Sequence, residues 1–143
     1  MMRHTAIALI VISAFAGSLS GQSPVVALKS GAKVYIAEMP NGFDTYLKSA
    51  LIKKKIPLSV VGSKDDADFE ITGTSESQKA GAAKKLLRGS FHSDEQASIS
   101  IAHIKSGEIV FAYSVNKKDS LHGKQSTAEA CAVHIKDELD NKK

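Results

Sequence analysis

An alternation of apolar and polar residues in the second half of the chain constrains the fold more than any other feature. It runs through three segments, 68–74, 97–104 and 109–116. Successive side chains of a β-strand point to opposite faces, so this period of two predicts strands with one buried and one exposed face. Residues 105–108 (KSGE) predict a tight hairpin turn between the last two strands. We therefore expect a sheet with one face open to solvent and the other covered by helices.

The chain ahead of these three segments combines two short strands with a helix. Residues 33–38 and 58–61 are rich in β-forming residues and predict the strands. Between them, residues 43–55 predict a helix, because apolar residues recur there at helical spacing. Those apolar residues are Phe43, Leu47, Ala50 and Leu51. This order predicts that the two strands are parallel and joined by a right-handed crossover.

A second helix is predicted at the end of the chain. Ser126 followed by Glu129 is the capping-box pattern, in which the serine oxygen accepts a hydrogen bond from a free amide of the first turn. We therefore expect the helix to begin at Ser126. Its predicted apolar stripe consists of Ala128, Cys131, Ala132, Ile135 and Leu139.

Together these elements predict the order β-α-β-β-β-β-α. The predicted fold class is α/β: a two-layer sandwich with a mixed five-stranded sheet and two helices on one face. The domain is expected to cover residues 33–140 and to follow a lead-in at 22–32. The open face of the sheet is expected to carry Glu70, Thr72, Ser98, Ser100 and Ser114.

The amino terminus has the layout of a secretory signal peptide. A short positive start is followed by the apolar run 5–15 and then by small residues. The run is too short for a membrane span, which needs about 20 apolar residues. Cleavage after Ala16 fits the small-residue rule, as does cleavage after Ser20 or Gly21, and the later positions keep the apolar run intact. We therefore expect a signal peptide at 1–21, a periplasmic or secreted product and no transmembrane segment in the mature chain.

Charge and composition bear on the classes of partner. The chain has 19 Lys and Arg, 15 Asp and Glu, a net charge of +4 and no Trp. So mild a positive charge with few aromatic residues predicts no nucleic-acid partner. Cys131 is the single cysteine of the sequence, which excludes an intramolecular disulfide.

The sequence predicts no catalytic centre, no metal site and no cofactor. Cys131 and His134 lie three residues apart on a helix and could both contact one ion. The alternative interpretation, a buried structural thiol, is favoured because Cys131 belongs to the apolar stripe. Ser90, His92 and Asp94 alternate along one segment, but a catalytic triad is assembled from separate parts of a fold.

The segment 78–89 is the candidate binding site. It joins two predicted strands that a short turn could have joined, and long loops of this kind are usually functional or disordered. Its basic and apolar side chains could bind an acidic partner or a lipid surface. The alternative is a mobile, solvated hairpin tip. The predicted partner-binding residues are Lys79, Lys84, Lys85, Leu86, Leu87 and Arg88.

The order of the predicted strands and helices, and the turn residues between them, resemble those of a group of bacterial envelope domains. The residues that carry the likeness include strand 33–38, the Ala-Asp-Phe-Glu-Ile-Thr-Gly segment at 67–73, Ser-Gly-Glu-Ile-Val-Phe at 106–111 and the final helix. The group contains the amino-terminal domain of TolB, the periplasmic part of the curli-secretion channel and lipoprotein activators of penicillin-binding proteins. The resemblance implies a fold and an envelope location and carries over no catalytic residue. This chain differs in having no cysteine for lipid attachment.

These observations lead to one expected function and one alternative. We expect an exported, non-enzymatic domain that binds a protein partner in the bacterial cell envelope. The alternative is a small-molecule or glycan binder that uses the open Ser/Thr-rich face of the sheet. The oligomeric state stays open at this point.

Overall fold

A computed structural model describes residues 26–79, 93–120 and 122–141. Its strands are β1 (Lys33–Ile36), β2 (Ser59–Val61), β3 (Phe69–Lys79), β4 (Ser93–His103) and β5 (Ile109–Ser120). Its helices are α1 (Phe43–Lys53) and α2 (Gly123–Asn141). The predicted order of elements and the predicted α/β class are confirmed. The predicted signal peptide, 1–21, lies outside the described residues.

The five strands form one mixed sheet in the order β2-β1-β3-β4-β5. β1 is parallel to β2, as predicted, and it is also parallel to β3 on its other side. Val34 lies opposite Val60 of β2 and Phe69 of β3. The pairs β3–β4 and β4–β5 are antiparallel, as the predicted hairpins require. β2 and β5 are therefore the two edges of the sheet.

Both helices pack on one face of the sheet and enclose a single core. The sheet contributes Val34, Ile36, Phe69, Ile71, Ile99 and Ile101, all buried. The predicted apolar positions of both helices are buried as well, including Phe43, Leu47, Cys131 and Ile135. Leu28, in the predicted lead-in, is completely buried in the same core. The chain before β1 therefore packs with the domain.

Three strands are longer than predicted. The predicted strand 68–74 ends too early, because β3 continues to Lys79, and the predicted strand 97–104 begins too late, because β4 begins at Ser93. The predicted strand 109–116 also ends too early, since β5 continues to Ser120. Backbone pairing extends through polar positions such as Thr74 opposite Ser98. Hydrogen bonding between strands needs only backbone N–H and C=O groups, so the strands continue beyond the apolar alternation that predicts them.

Each helix differs from its prediction at one end: α1 at its carboxyl end and α2 at its amino end. α1 ends at Lys53, and Lys55 has a φ of +51°, which a continuing helix does not allow. α2 begins at Gly123, so the predicted capping box at Ser126 is wrong. The Ser126 N–H already donates to the His122 carbonyl oxygen at 3.2 Å, inside the first turn. The Glu129 carboxylate, freed from capping, reaches α1 instead.

A β-bulge changes the phase of β5 at its start. Ile101 pairs with Phe111, but Ala102 pairs with Ile109, which leaves Val110 as the extra residue. The alternation through 109–116 predicts that Ile109 points inward with Phe111, and this prediction is wrong, because Ile109 is 64% exposed. Val110 packs against the core in its place.

Candidate functional site

The outer edge of β5 is the longest strand edge that the described part of the chain leaves open. β5 has twelve residues and pairs with β4 alone among the described strands. β2, the opposite edge, has three residues. The outward N–H and C=O groups of an edge strand are a template for a strand of another chain. The middle of β5, residues 110–116 (VFAYSVN), carries no charge, whereas Glu108 precedes it and Lys117 and Lys118 follow it.

Apolar side chains lie along this edge on the helix-covered face. Phe111, Tyr113 and Val115 pack against the core and stay only partly buried. α2 contacts β5 through the side of the helix that carries His134. This side is adjacent to the buried apolar stripe that includes Cys131. The His134 ring stacks on the Tyr113 ring, with centroids 4.0 Å apart and planes inclined by 28°. The edge therefore combines free backbone groups with half-covered apolar side chains.

The open face of the sheet carries the polar side chains that the alternation predicts. Thr72 lies opposite Ser100, and Ser98 lies opposite Ser114. The Ser98 and Ser114 hydroxyl oxygens are 2.6 Å apart and hydrogen-bonded to each other. At the rim, Glu70 forms an ion pair with Lys64 at 2.7 Å. This face is polar, and some of its hydrogen-bonding capacity is used within it.

A depression of about 820 Å³ lies at the carboxyl end of β1, between the β1–α1 turn and Gly62. Its polar groups hold the turn in place. Asp44 accepts hydrogen bonds from the Met39 N–H at 3.3 Å and from Lys48 Nζ at 3.1 Å. Burial disfavours the Asp44 carboxylate, but these two hydrogen bonds outweigh burial and lower its pKa. Asn41 donates from Nδ2 to the Ser75 carbonyl oxygen at 2.9 Å. The depression is thus explained by the turn that it borders.

A charged cluster joins the two helices. The Glu129 carboxylate of α2 binds Lys53 at 2.7 Å and Lys54 at 3.2 Å. Gln125 donates to the same carboxylate at 3.2 Å. The hydrogen bonds from Lys53, Gln125 and Lys54 lower the pKa of Glu129 to about 2. This cluster fixes the end of α1 against α2.

The predicted partner-binding residues lie almost entirely outside the described residues. Lys79 is the last residue of β3 and lies opposite Ser93. Lys84, Lys85, Leu86, Leu87 and Arg88 are in the range that the structure does not describe. Their role in binding stays a prediction.

The two residues of the possible metal pair of α2 lie in different environments, one buried and one exposed. Cys131 is completely buried, and burial raises the pKa of its thiol to about 12. His134 is exposed and stacks on Tyr113. Among the described residues, no group of three or more His, Cys, Asp or Glu side chains could hold a metal ion. Within the same ranges, neither helix is both long and apolar enough to cross a membrane.

Comparison with known proteins shows the fold. No family model matches the sequence, and no curated protein matches it either. Among solved structures, the PelC dodecamer from Paraburkholderia phytofirmans matches at 16% identity with a TM-score of 0.55, over 80% of this chain and 91% of that chain. TolB from Acinetobacter baumannii matches at 10% identity and a TM-score of 0.48, over 80% of this chain and 29% of that chain. Lipoprotein GNA1162 from Neisseria meningitidis matches at 9% identity and a TM-score of 0.49, over 77% of this chain and 99% of that chain.

The chain therefore has a two-layer α/β fold that it shares with PelC. The resemblance to bacterial envelope domains that the sequence predicts is confirmed at the level of the fold. A likeness at these identities does not transfer activity, because one fold serves many functions.

Proposed function

We propose that this protein is an exported, non-enzymatic domain that binds a protein partner in the bacterial cell envelope through the outer edge of β5. One observation carries the proposal: β5 is a twelve-residue edge strand with an uncharged middle and a half-covered apolar row. Strand addition to such an edge uses backbone hydrogen bonds for affinity and alternate side chains for specificity. An edge of this kind is otherwise a site of aggregation, which proteins avoid with charges or covers.

The envelope location rests on the signal peptide that the sequence predicts ahead of the domain. The binding role draws on the fold that the chain shares with PelC. PelC is a dodecamer, so in that protein the fold takes part in protein assembly. A periplasmic or secreted domain that works by binding fits both.

The open face of the sheet is the second candidate surface, for a small molecule or a glycan. Its row of hydroxyl groups, with Thr72, Ser98 and Ser114, favours this alternative. The contact between Ser98 and Ser114 weighs against it, because a ligand would have to compete with that hydrogen bond. The two surfaces share β5, but Thr72 on β3 lies two strands away from the edge, so a probe at that position reports on the open face alone.

Site-specific photo-crosslinking in living cells tests the proposal. A photo-crosslinking amino acid is placed at Ala112 on the β5 edge, at Thr72 in the middle of the open face, or at Ile52 on α1; all three positions are exposed. We expect a discrete protein adduct in the envelope fraction from position 112 and none from position 52. Absence of an adduct at 112 contradicts the proposal, and a strong adduct at 72 alone moves the binding surface to the open face.

The basic segment 78–89 is a further proposed contact, which a replacement tests separately. Since Lys79 and Ser93 lie opposite each other, a two-residue Asn-Gly turn can replace residues 80–92. We expect cooperative unfolding to persist and the yield of the adduct at position 112 to fall. An unchanged yield assigns the binding to the edge alone.

A further inference from the structure

We propose that the partner at the β5 edge is a second copy of this chain. Its β5 pairs antiparallel to β5 of the first copy, about a two-fold axis that passes midway between the two Tyr113 residues. This inference rests on the proposed function and names the partner of the same surface. It joins two five-stranded sheets into one continuous sheet and keeps all helices on one side of it. An isologous contact of this kind closes on itself and leaves no further edge at β5.

The side chains of β5 match themselves in this register. With Tyr113 opposite the partner's Tyr113, Phe111 lies opposite the partner's Val115, and Ala112 lies opposite the partner's Ser114. Phe111, Tyr113 and Val115 are the half-buried apolar row, so each row covers the other. Ala112 and Ser114 lie on the open face in both copies, which keeps small side chains against small ones.

The charges that flank the uncharged stretch select the same register. Glu108 comes next to the partner's Lys117 at each end of the paired strands, because the extra residue at Val110 shifts the pairing by one. Glu108 is exposed and Lys117 is half-buried. Opposite charges across neighbouring strands stabilise the pairing. Moving the axis by one residue, to Ser114, puts Phe111 opposite the partner's Lys117 and loses the apolar match. This agreement between charge and apolar pattern argues for a second copy over an unrelated strand.

Engineered disulfides test the register. Directly opposite residues of antiparallel strands have Cα atoms about 4.5–5.5 Å apart, which a disulfide can span. We expect Ala112→Cys mixed with Ser114→Cys to give an oxidised dimer, and either variant alone to give little. The buried native Cys131, with its raised thiol pKa, does not compete, and the unaltered protein is the control. No dimer from the mixture, or equal dimer from each variant alone, overturns the register.

A charge exchange tests the contact without changing the core. Glu108→Lys and Lys117→Glu are made singly and together, and the association of the purified protein is measured by sedimentation equilibrium. Each single change creates like-charge pairs at both ends and is expected to raise the dimer dissociation constant roughly ten-fold. The double variant is expected to return to the original value. A monomeric unaltered protein, or a double variant no tighter than the single ones, overturns the inference.

The crosslinking adduct at position 112 separates this inference from the proposed function. An adduct of twice the mass of the chain supports both. An adduct with a different protein supports the proposed function and overturns the second copy. No adduct contradicts both.

Discussion

The ring of Tyr113 on β5 stacks on the ring of His134 on α2 at a centroid distance of 4.0 Å. This contact fastens the edge strand of the sheet to the margin of the helix layer. His134 is exposed and Tyr113 is only partly buried, so the pair lies at the border of the core. The stack holds the side chains of the edge in one arrangement while the backbone edge itself stays open.

His134→Ala is expected to lower the free energy of unfolding by about 1 kcal/mol, because it removes the stacking contact. Val133→Ala is the matched control, since Val133 is a neighbouring exposed residue of the same helix. Alanine is the better helix former, so the control should be neutral or slightly stabilising. Urea unfolding measures both. Equal losses in the two variants would show that the stack contributes nothing.

Gly73→Ala is expected to lower the free energy of unfolding by about 2–3 kcal/mol, because the site is already filled. A methyl group there would lie 2.5 Å from the Ser98 carbonyl oxygen and 3.2 Å from Met39 Sδ. Gly62→Ala is the matched control, since a methyl group at Gly62 meets no atom within 4 Å. Thermal or urea unfolding compares the two. A tolerated Gly73→Ala would mean that β3 and β4 are less closely paired than described.

The sequence predicts the strands of the core and the buried stripes of both helices for a simple reason. Residues such as Ile99 and Ile101 must face the helices, so burial requires an apolar residue at every second position of the strand. The pattern disappears where polar residues occupy the covered face. Ser75 and Glu95 are buried there, and the strands continue past them without an apolar signal. The lengths of β3 and β4 could therefore not be predicted.

Three other features depend on contacts that the pattern does not record. α2 begins at Gly123, although the Ser126–Glu129 pair matches the capping-box pattern. Glu129 instead binds Lys53 on the other helix. The bulge at Val110 exchanges which residue faces the core. The edge position of β5 follows from the strand order, and alternation alone does not fix that order. The candidate site was missed for this last reason.

Cys131 is expected to react slowly with a thiol reagent in the folded protein and quickly in urea. Its side chain is completely buried, and burial raises its pKa to about 12, so the reactive thiolate is scarce below that pH. Cys131→Ser should lower the free energy of unfolding by about 1–3 kcal/mol, because it puts a hydroxyl group into an apolar site. Cys131→Ala is the control for lost volume. Rapid labelling under native conditions would contradict the position of α2.

Glu129→Gln is expected to lower stability by about 1 kcal/mol near pH 6, where the carboxylate binds Lys53 and Lys54. The folded pKa of about 2 lies below the ordinary value of 4.5, so the stabilisation is present above pH 4.5 and is lost as the pH falls toward 2. The difference between the two proteins should disappear over that window. Glu38→Gln is the control, because Glu38 lies on the exposed rim of the β1–α1 turn. A difference that is constant with pH would contradict the ion-pair explanation.

Amide hydrogen exchange along β5 tests the central claim, that this edge accepts a strand from a second copy. Alternate N–H groups of β5 point away from β4, and nothing in the described chain covers them. We expect these amides, within residues 110–116, to exchange rapidly in dilute protein and to become protected as the concentration rises. The amides that bond β4 should stay protected throughout. Outward amides whose exchange is independent of concentration, with any new protection falling elsewhere, would contradict the account.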